Sequence, residues 1–143
     1  MQKVLLLVAL VAIMTGCAQK TVPTKDNTAH SSLTNTRWKL TALPALPSGL
    51  PKLQKDVFLQ LDTGRIKGFG GCNNYFGGYT VQGDAISFKG IASTKMFCQE
   101  TMMVEDKLFD ALNNTTHYRI TGTRLELLKD KDLLASFEAL YLQ

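Results

Sequence analysis

The residues of this chain best able to do chemistry are three cysteines and two histidines. Cys72, Cys98 and His117 lie in the part that can fold, where a thiolate beside an imidazole could act as a nucleophile or, with a second thiolate, bind zinc. Zinc sites usually take two ligands from one C-x-x-C or H-x-x-x-H step, and the sequence has neither. We therefore predict no metal, no cofactor and no thiol enzyme, and we expect His117 to be a plain strand residue.

The other catalytic patterns are missing as well. There is no G-x-S-x-G elbow, and the glycine-rich stretch from Gly68 to Gly78 has neither the Lys of a phosphate loop nor the following helix of a dinucleotide loop. Glu105, Asp106 and Asp110 fit the polar face of a predicted helix, where solvation explains them. The glycines indicate a sharply bent strand with close backbone approach. The aromatic residues of the stretch should then contribute to packing: Phe69, Tyr75, Phe76 and Tyr79.

The N-terminus is predicted to be a targeting segment. A basic start precedes an unbroken apolar run from Val4 to Met14, and small residues follow it. A transmembrane helix needs roughly 20 apolar residues, so this shorter run favours a signal peptide over residues 1–16 rather than a membrane span. Residues 17–32 are polar and almost free of apolar side chains, so we expect a flexible tether there.

The segment Met14-Thr15-Gly16-Cys17 resembles the lipobox of bacterial lipoproteins. The resemblance implies that Cys17 is linked to diacylglycerol and becomes the first mature residue, with ordinary cleavage leaving a free thiol as the alternative. Several acyl chains anchor a protein stably, because each buried methylene contributes about 0.8 kcal/mol. Ala18 follows the Cys where Asp would suggest inner-membrane retention, so the same resemblance implies the outer membrane, facing the periplasm.

Setting Cys17 aside leaves Cys72 and Cys98 as a pair in an oxidising compartment. A disulfide is the default for such a pair, with two reduced buried thiols or a zinc site that includes His117 as the alternatives. Counting both ends, residues 72–98 form a loop of 27, and closing a loop of that length stabilises a fold by about 3 to 4 kcal/mol.

Composition places the folded part in one domain, which we expect to span residues 33–143. The 143 residues are 45% hydrophobic and 20% charged, enough for a conventional core and too apolar for a wholly disordered chain. The net charge of +4 is small and its basic residues are scattered, which argues against nucleic acid as a partner.

Alternating apolar residues predict a mainly β (α+β) domain of about eight strands. One helix is predicted over Thr101–Leu112, because Val104, Leu108 and Leu112 fall on one face. The predicted strands are Arg37–Leu43, Val57–Leu61, Arg65–Lys67, Tyr79–Gln82, Ala85–Phe88, Tyr118–Thr121, Arg124–Leu128 and Leu133–Leu140.

Several of these segments together resemble the META domain family, which includes the heat-shock lipoprotein HslJ. The resemblance covers about Leu33 to Gln143 and implies a strongly bent antiparallel sheet or partial barrel with one helix packed against it. It also implies a hydrophobic groove, an association with envelope stress and no established reaction, and it supports pairing of the two cysteines. The residues that carry it are Trp38, Gly71, Cys72, Asn73, Tyr79, Thr94, Met96 and Cys98.

These observations predict a non-enzymatic, lipid-anchored envelope protein whose domain binds or supports another envelope component. The alternative is a carrier of a lipid or other apolar small molecule in the open end of the bent sheet. An apolar pocket would favour the carrier, whereas a filled core with an exposed apolar patch would favour the accessory protein. Met96, Met102 and Met103 could form such a patch near Phe97, although core packing is the simpler expectation for them.

Overall fold

The computed structural model describes residues 31–141. The predicted signal peptide, Cys17, the tether up to residue 30 and residues 142–143 lie outside this range. The described chain contains the eight strands and one helix expected from the sequence. In chain order they are β1 Arg37–Ala42, β2 Phe58–Asp62, β3 Arg65–Phe69, β4 Asn74–Gln82, β5 Ala85–Ser93, α1 Met102–Asn114, β6 His117–Thr121, β7 Arg124–Lys129 and β8 Asp132–Leu140.

The strands form one closed antiparallel ring. Each strand pairs with the next along the chain, and β8 returns to β1, where Trp38 lies opposite Ala139. The joint between β5 and β6 is the weakest, with Ala85 and His117 as its one register pair. The helix connects these two strands and packs on β5, β7 and β8. The predicted bent sheet is therefore confirmed, and its curvature brings the first and last strands together.

Side chains of alternating strand residues fill the inside of the ring. Trp38 and Leu40 on β1 point inward and are at most 4% exposed, and the inward residues of the neighbouring strands are buried as well. Leu108 and Leu112 of the helix join the same core. Burying each large side chain of this kind stabilises the fold by about 1.5 to 3 kcal/mol. The strand residues between these inward positions point to the outer face of the ring. They include Arg37, Lys39, Phe58 and Phe69.

Strand β4 begins at Asn74, five residues before the predicted start at Tyr79. The glycines in its first half permit close pairing with β5, because a Cβ on Gly77 would lie 3.1 Å from the carbonyl oxygen of Lys89. The register between these strands shifts between Phe76 and Gly78, which marks a bulge. The glycine pattern interrupts the period-2 signal that would have located this half of the strand.

The helix begins and ends close to the predicted residues. It runs from Met102 to Asn114 and stops at Thr115, whose hydroxyl donates a 2.7 Å hydrogen bond to the carbonyl oxygen of Ala111. No helix within residues 31–141 has the length and hydropathy of a membrane span.

The start of the described chain is bonded to the ring. The backbone amide of Ser31 donates to the carbonyl oxygen of Gly122 at 3.0 Å, and its hydroxyl lies 2.7 Å from the hydroxyl of Tyr141. Ser31, within the segment assigned to the tether, is buried in this position.

Candidate functional site

The amide of Asn73 holds the corner between β3 and β4. Its Oδ1 accepts hydrogen bonds from the Thr94 hydroxyl at 2.8 Å and from the Met96 backbone amide at 2.7 Å. Its Nδ2 donates to the Met96 carbonyl oxygen at 3.0 Å and to Glu105 Oε1 at 2.8 Å. All four hydrogen-bonding positions of this buried amide are therefore used. The bonds fix the segment after β5 to the corner.

Glu105 is the second half of this polar cluster. The residue is 2% exposed, and its Oε2 accepts bonds from the backbone amides of Asn73 at 2.7 Å and Cys72 at 3.4 Å. The prediction that it lies on a solvated helix face is wrong, because the corner presents N–H donors to the side of the helix that faces the core. Its spacing was a usable signal, since Leu108 and Leu112 follow at the core-facing intervals of three and seven residues.

Gly70 leaves the space that the Glu105 carboxylate occupies. A Cβ on Gly70 would lie 2.7 Å from Glu105 Oε2, closer than real Cβ contacts permit. The backbone amide of Gly70 donates to the carbonyl oxygen of Asn73 at 2.8 Å, which closes the turn. Gly71 follows with φ +117°, a conformation that side chains with a Cβ rarely adopt. The other two carboxylates of the predicted polar face, Asp106 and Asp110, are exposed.

Cys72 and Cys98 lie at disulfide distance, with Cα atoms 5.6 Å apart. The pair joins the β3–β4 corner to the start of the helix. The carbonyl oxygen of Cys98 accepts bonds from the amides of Thr101 at 3.1 Å and Met102 at 3.0 Å, so the first helical turn begins there. The geometry required for the predicted disulfide is therefore present.

Tyr75 packs inside the ring beside the polar cluster. Its ring meets that of Phe109 edge to face at 5.3 Å, and its hydroxyl donates to the carbonyl oxygen of Phe58 at 3.0 Å. Burial raises the pKa of the Tyr75 phenol well above its ordinary value of 10.0. A Cβ on Gly68 would overlap this ring, so the glycine makes room for it. The packing expected of the aromatic stretch thus holds for Tyr75, whereas Phe76 is 59% exposed.

Three apolar side chains near Cys98 face solvent, and we name them the apolar rim: Met96, Phe97 and Met103. Phe97 is 82% exposed, Met103 63% and Met96 56%. The expectation of core packing is wrong for Met96 and Met103. The backbone of Met96 is held by Asn73 on both its amide and its carbonyl, which leaves its side chain outside. The alternative in which these residues form a contact surface is favoured.

An open groove of about 980 Å³ lies beside the apolar rim on the outside of the ring. We call it the outer groove. Its floor contains Arg37, Phe58, Phe69 and Asn74 from four successive strands, and Leu140 of β8 lies next to Arg37. One wall is formed by residues 52–56. The other is formed by residues 98–101 together with Met96 and the Cys72–Cys98 pair.

Arg37 is the unusual cation of this groove. Its guanidinium lies 4.3 Å from the centre of the Phe58 ring, a cation–π contact. Its buried Nε has no hydrogen-bond acceptor among the described residues. A buried donor without an acceptor destabilises a fold by about 1 to 3 kcal/mol.

The thiol and imidazole considered in the sequence do not meet as a catalytic pair. His117 opens β6, and its Nδ1 lies 2.8 Å from the hydroxyl of Thr116, while the Cys72 sulfur faces Cys98. Between residues 31 and 141, no group of three or more His, Cys, Asp or Glu side chains is arranged to hold a metal ion.

The remaining motif residues serve the fold. Trp38 is fully buried and its Nε1 donates to the carbonyl oxygen of Leu33 at 3.0 Å, which fastens the start of the domain. Tyr79 is half-buried against the core, and its amide donates to the carbonyl oxygen of Gly64 at 3.2 Å. The eight motif residues therefore divide into a corner cluster and two anchors of the ring.

Comparison with known proteins supports this architecture. The chain is similar to an NMR structure of a protein from Burkholderia xenovorans, with 22% identity and a TM-score of 0.62, over 77% of this chain and 85% of that one. It is also similar to a second protein solved by NMR, with 17% identity and a TM-score of 0.57, over 72% of this chain and 87% of that one. At these identities the likeness concerns the fold. A search of curated proteins finds no match. A family model described as META domain matches residues 31–140, nearly the whole described chain, and the protein therefore belongs to the META domain family.

Proposed function

We propose that this protein is a non-enzymatic, lipid-anchored accessory protein of the cell envelope, which binds another envelope component at the outer groove and the apolar rim. The observation that carries the proposal is the fixed exposure of Met96 and Phe97. The backbone of Met96 is bonded to Asn73, and the next residue but one is Cys98, at disulfide distance from the corner. Large apolar side chains held rigidly in solvent favour binding of a partner, because little ordering entropy is lost on contact.

The filled ring bears on the alternative of a small-molecule carrier. Trp38, Tyr75 and Phe137 occupy the interior with at most 1% exposure, so a ligand in the open end of the sheet is disfavoured. A lipid or other apolar molecule would instead bind in the outer groove, whose volume of about 980 Å³ suits a small ligand. The groove is therefore the common site of both functions.

The N-terminal features support the location of this activity. The apolar run before Cys17 and the polar tether after it are typical of exported lipoproteins, and the basic residues are not clustered as nucleic acid would require. We propose that the domain is held at the outer membrane and faces the periplasm. An association with envelope stress is part of this proposal and rests on the family resemblance.

Site-specific photo-crosslinking in living cells tests the proposed function. A photoreactive residue in place of Phe97 should capture an envelope component, and one in place of Lys131 should not. Lys131 is an exposed residue of the β7–β8 turn and is the matched control. Phe69→Ala, which removes part of the groove floor, should reduce capture from position 97 while leaving the amount of protein unchanged. Equal capture from positions 97 and 131 would contradict the proposal.

A further inference from the structure

The outer groove has an excess of uncommitted positive charge. Arg37, Lys52 and Lys55 line it, against the carboxylates of Asp56 and Glu100. Asp56 already pairs with Lys39 at 2.7 Å. The described ion pairs include no partner for the three cations of the groove. An anion entering the groove would meet this excess charge.

The cation at the β1 side of the groove is oriented as well as charged. The Arg37 guanidinium lies 4.3 Å from the centre of the Phe58 ring, a cation–π contact that limits its position. A guanidinium presents several N–H donors in a fixed fork that fits a carboxylate or a phosphate. Arg37 therefore provides a preorganised site for one small anionic group.

The middle of the floor is formed by two phenyl rings. Phe58 and Phe69 are directly opposite each other on β2 and β3, and Asn74 follows opposite Phe69 on β4. Three strand spacings separate β1 from β4, which gives a floor of about 14 Å from Arg37 toward the disulfide wall. A chain that leaves the guanidinium along this direction would pass the two phenyl rings, and Met96 lines the same groove. The groove thus combines cationic side chains with an apolar strip formed by Phe58 and Phe69.

We propose that the outer groove binds an anionic amphiphile, a medium-length acyl chain that carries one carboxylate or phosphate head. The head lies against Arg37 in a groove that Lys52 and Lys55 also line, and the chain lies along Phe58 and Phe69. This proposal names the class of envelope component and therefore rests on the proposed function of the groove.

Competitive photolabelling tests it on the full chain, isolated from membranes and placed in phosphatidylcholine nanodiscs. The probe is laurate with a diazirine in its chain. The competitors share one chain length and differ in the head group: laurate, dodecyl phosphate, dodecanol and dodecyltrimethylammonium. We expect the label on peptides that contain Phe58, Phe69 or Met96. Laurate or dodecyl phosphate should displace it, whereas dodecanol and the cationic amphiphile should not, and the stronger of the two anions identifies the head.

Laurate competition with variants of Arg37 provides the second measurement. Arg37→Gln should weaken laurate competition by about tenfold, since a charge-assisted contact is lost. Arg37→Lys should retain part of it. Arg124→Gln, which removes an exposed arginine from β7, is the matched control and should change nothing. Unchanged melting temperatures would show that the Arg37 variants still fold.

Three outcomes separate this inference from the proposed function. Competition by dodecanol equal to that by laurate would overturn anion recognition, and crosslinking from position 97 would still support a binding groove. Label found only outside the groove would overturn the inference as well. Head-group selectivity without any capture at position 97 would support the inference and contradict the accessory function.

Discussion

Glu105 shows how one residue can serve both a helix and a distant corner of a sheet. Its carboxylate accepts hydrogen bonds from two backbone amides and from the side-chain amide of Asn73. It lies so close to Gly70 that a Cβ at that position would clash with it. A buried carboxylate without such donors would be strongly unfavourable. The cluster therefore makes the packing of α1 depend on the conformation of the corner.

We expect Glu105→Gln to lower the free energy of unfolding by about 2 to 3 kcal/mol. The new amide would turn a donor toward an existing N–H group and leave buried polar atoms unpaired. Asp106→Asn is the matched control, because it makes the same change at an exposed neighbour and should stay within about 0.5 kcal/mol. Urea unfolding of both variants measures the difference. Equal stability of the two variants would contradict the role given to Glu105.

Tyr75 should make stability fall at high pH. Below about pH 10 the phenol is neutral in both states, and its bond to Phe58 contributes fully. As the pH rises above about 10, the unfolded chain releases this proton, whereas the buried phenol retains it because burial raises its pKa. Release of the proton stabilises the unfolded state, so the free energy of unfolding falls. Tyr75→Phe should be less stable by about 1 kcal/mol at neutral pH and should lose less stability in alkali.

Urea unfolding of wild type and Tyr75→Phe from about pH 8 to pH 11 measures this effect. Tyr118→Phe, which changes a half-buried tyrosine of β6, is the control and should follow the wild-type curve. Parallel curves for wild type and Tyr75→Phe would show that the buried phenol does not cause the alkaline loss.

At the scale of elements, the corner between β3 and β4 joins three segments that have no regular pairing with one another. Asn73 is hydrogen-bonded to the segment after β5 and to Glu105 of the helix. The two cysteines link the corner to the residues before α1. The outer groove and the apolar rim lie on this junction. The rigidity of the candidate site is therefore a consequence of the corner.

We expect Cys72 and Cys98 to be linked in the protein isolated from the envelope. Peptide mapping without reductant should recover one linked pair, and both thiols free to alkylation would contradict it. Reduction, or replacement of both residues by Ala, should lower stability by about 3 to 4 kcal/mol, because a loop of 27 residues is no longer closed. Capture from position 97 should also decrease, since the segment that carries Phe97 loses one of its two fixed points.

The strands and the helix could be predicted from the sequence where the apolar pattern lies within the element itself. The strands of the β6–β8 region alternate apolar and polar residues, and the helix has a clear apolar face, so these were located to within a few residues. The first half of β4 was missed because Gly77 and Gly78 contribute no side chain to the alternation. Glu105 was placed wrongly because its donors come from residues 72 and 73, far from the helix in sequence.

Closure of the ring leaves the outer face as the location of the groove. The first and last strands pair, so the inward side chains of all eight strands meet and fill the interior. The family resemblance implied a groove, but its position could not be read from the sequence. The groove depends on which outward residues of β1 to β4 become neighbours and on the two loops that flank them. Met96 and Met103, which the sequence predicts to lie in the core, are exposed.

We expect attachment of this protein to a membrane to depend on Cys17. If Cys17 is acylated, cells fed an alkyne analogue of palmitate should label the protein, and Cys17→Ala should abolish both the label and recovery in the membrane fraction. Two or more acyl chains hold a protein at a bilayer, whereas the net charge of +4 and the exposed apolar rim alone would give only weak, salt-sensitive association. Cys72→Ala with Cys98→Ala is the matched control, because it removes thiols outside the proposed lipobox and should keep the label. Label retained in Cys17→Ala would refute the anchor at Cys17.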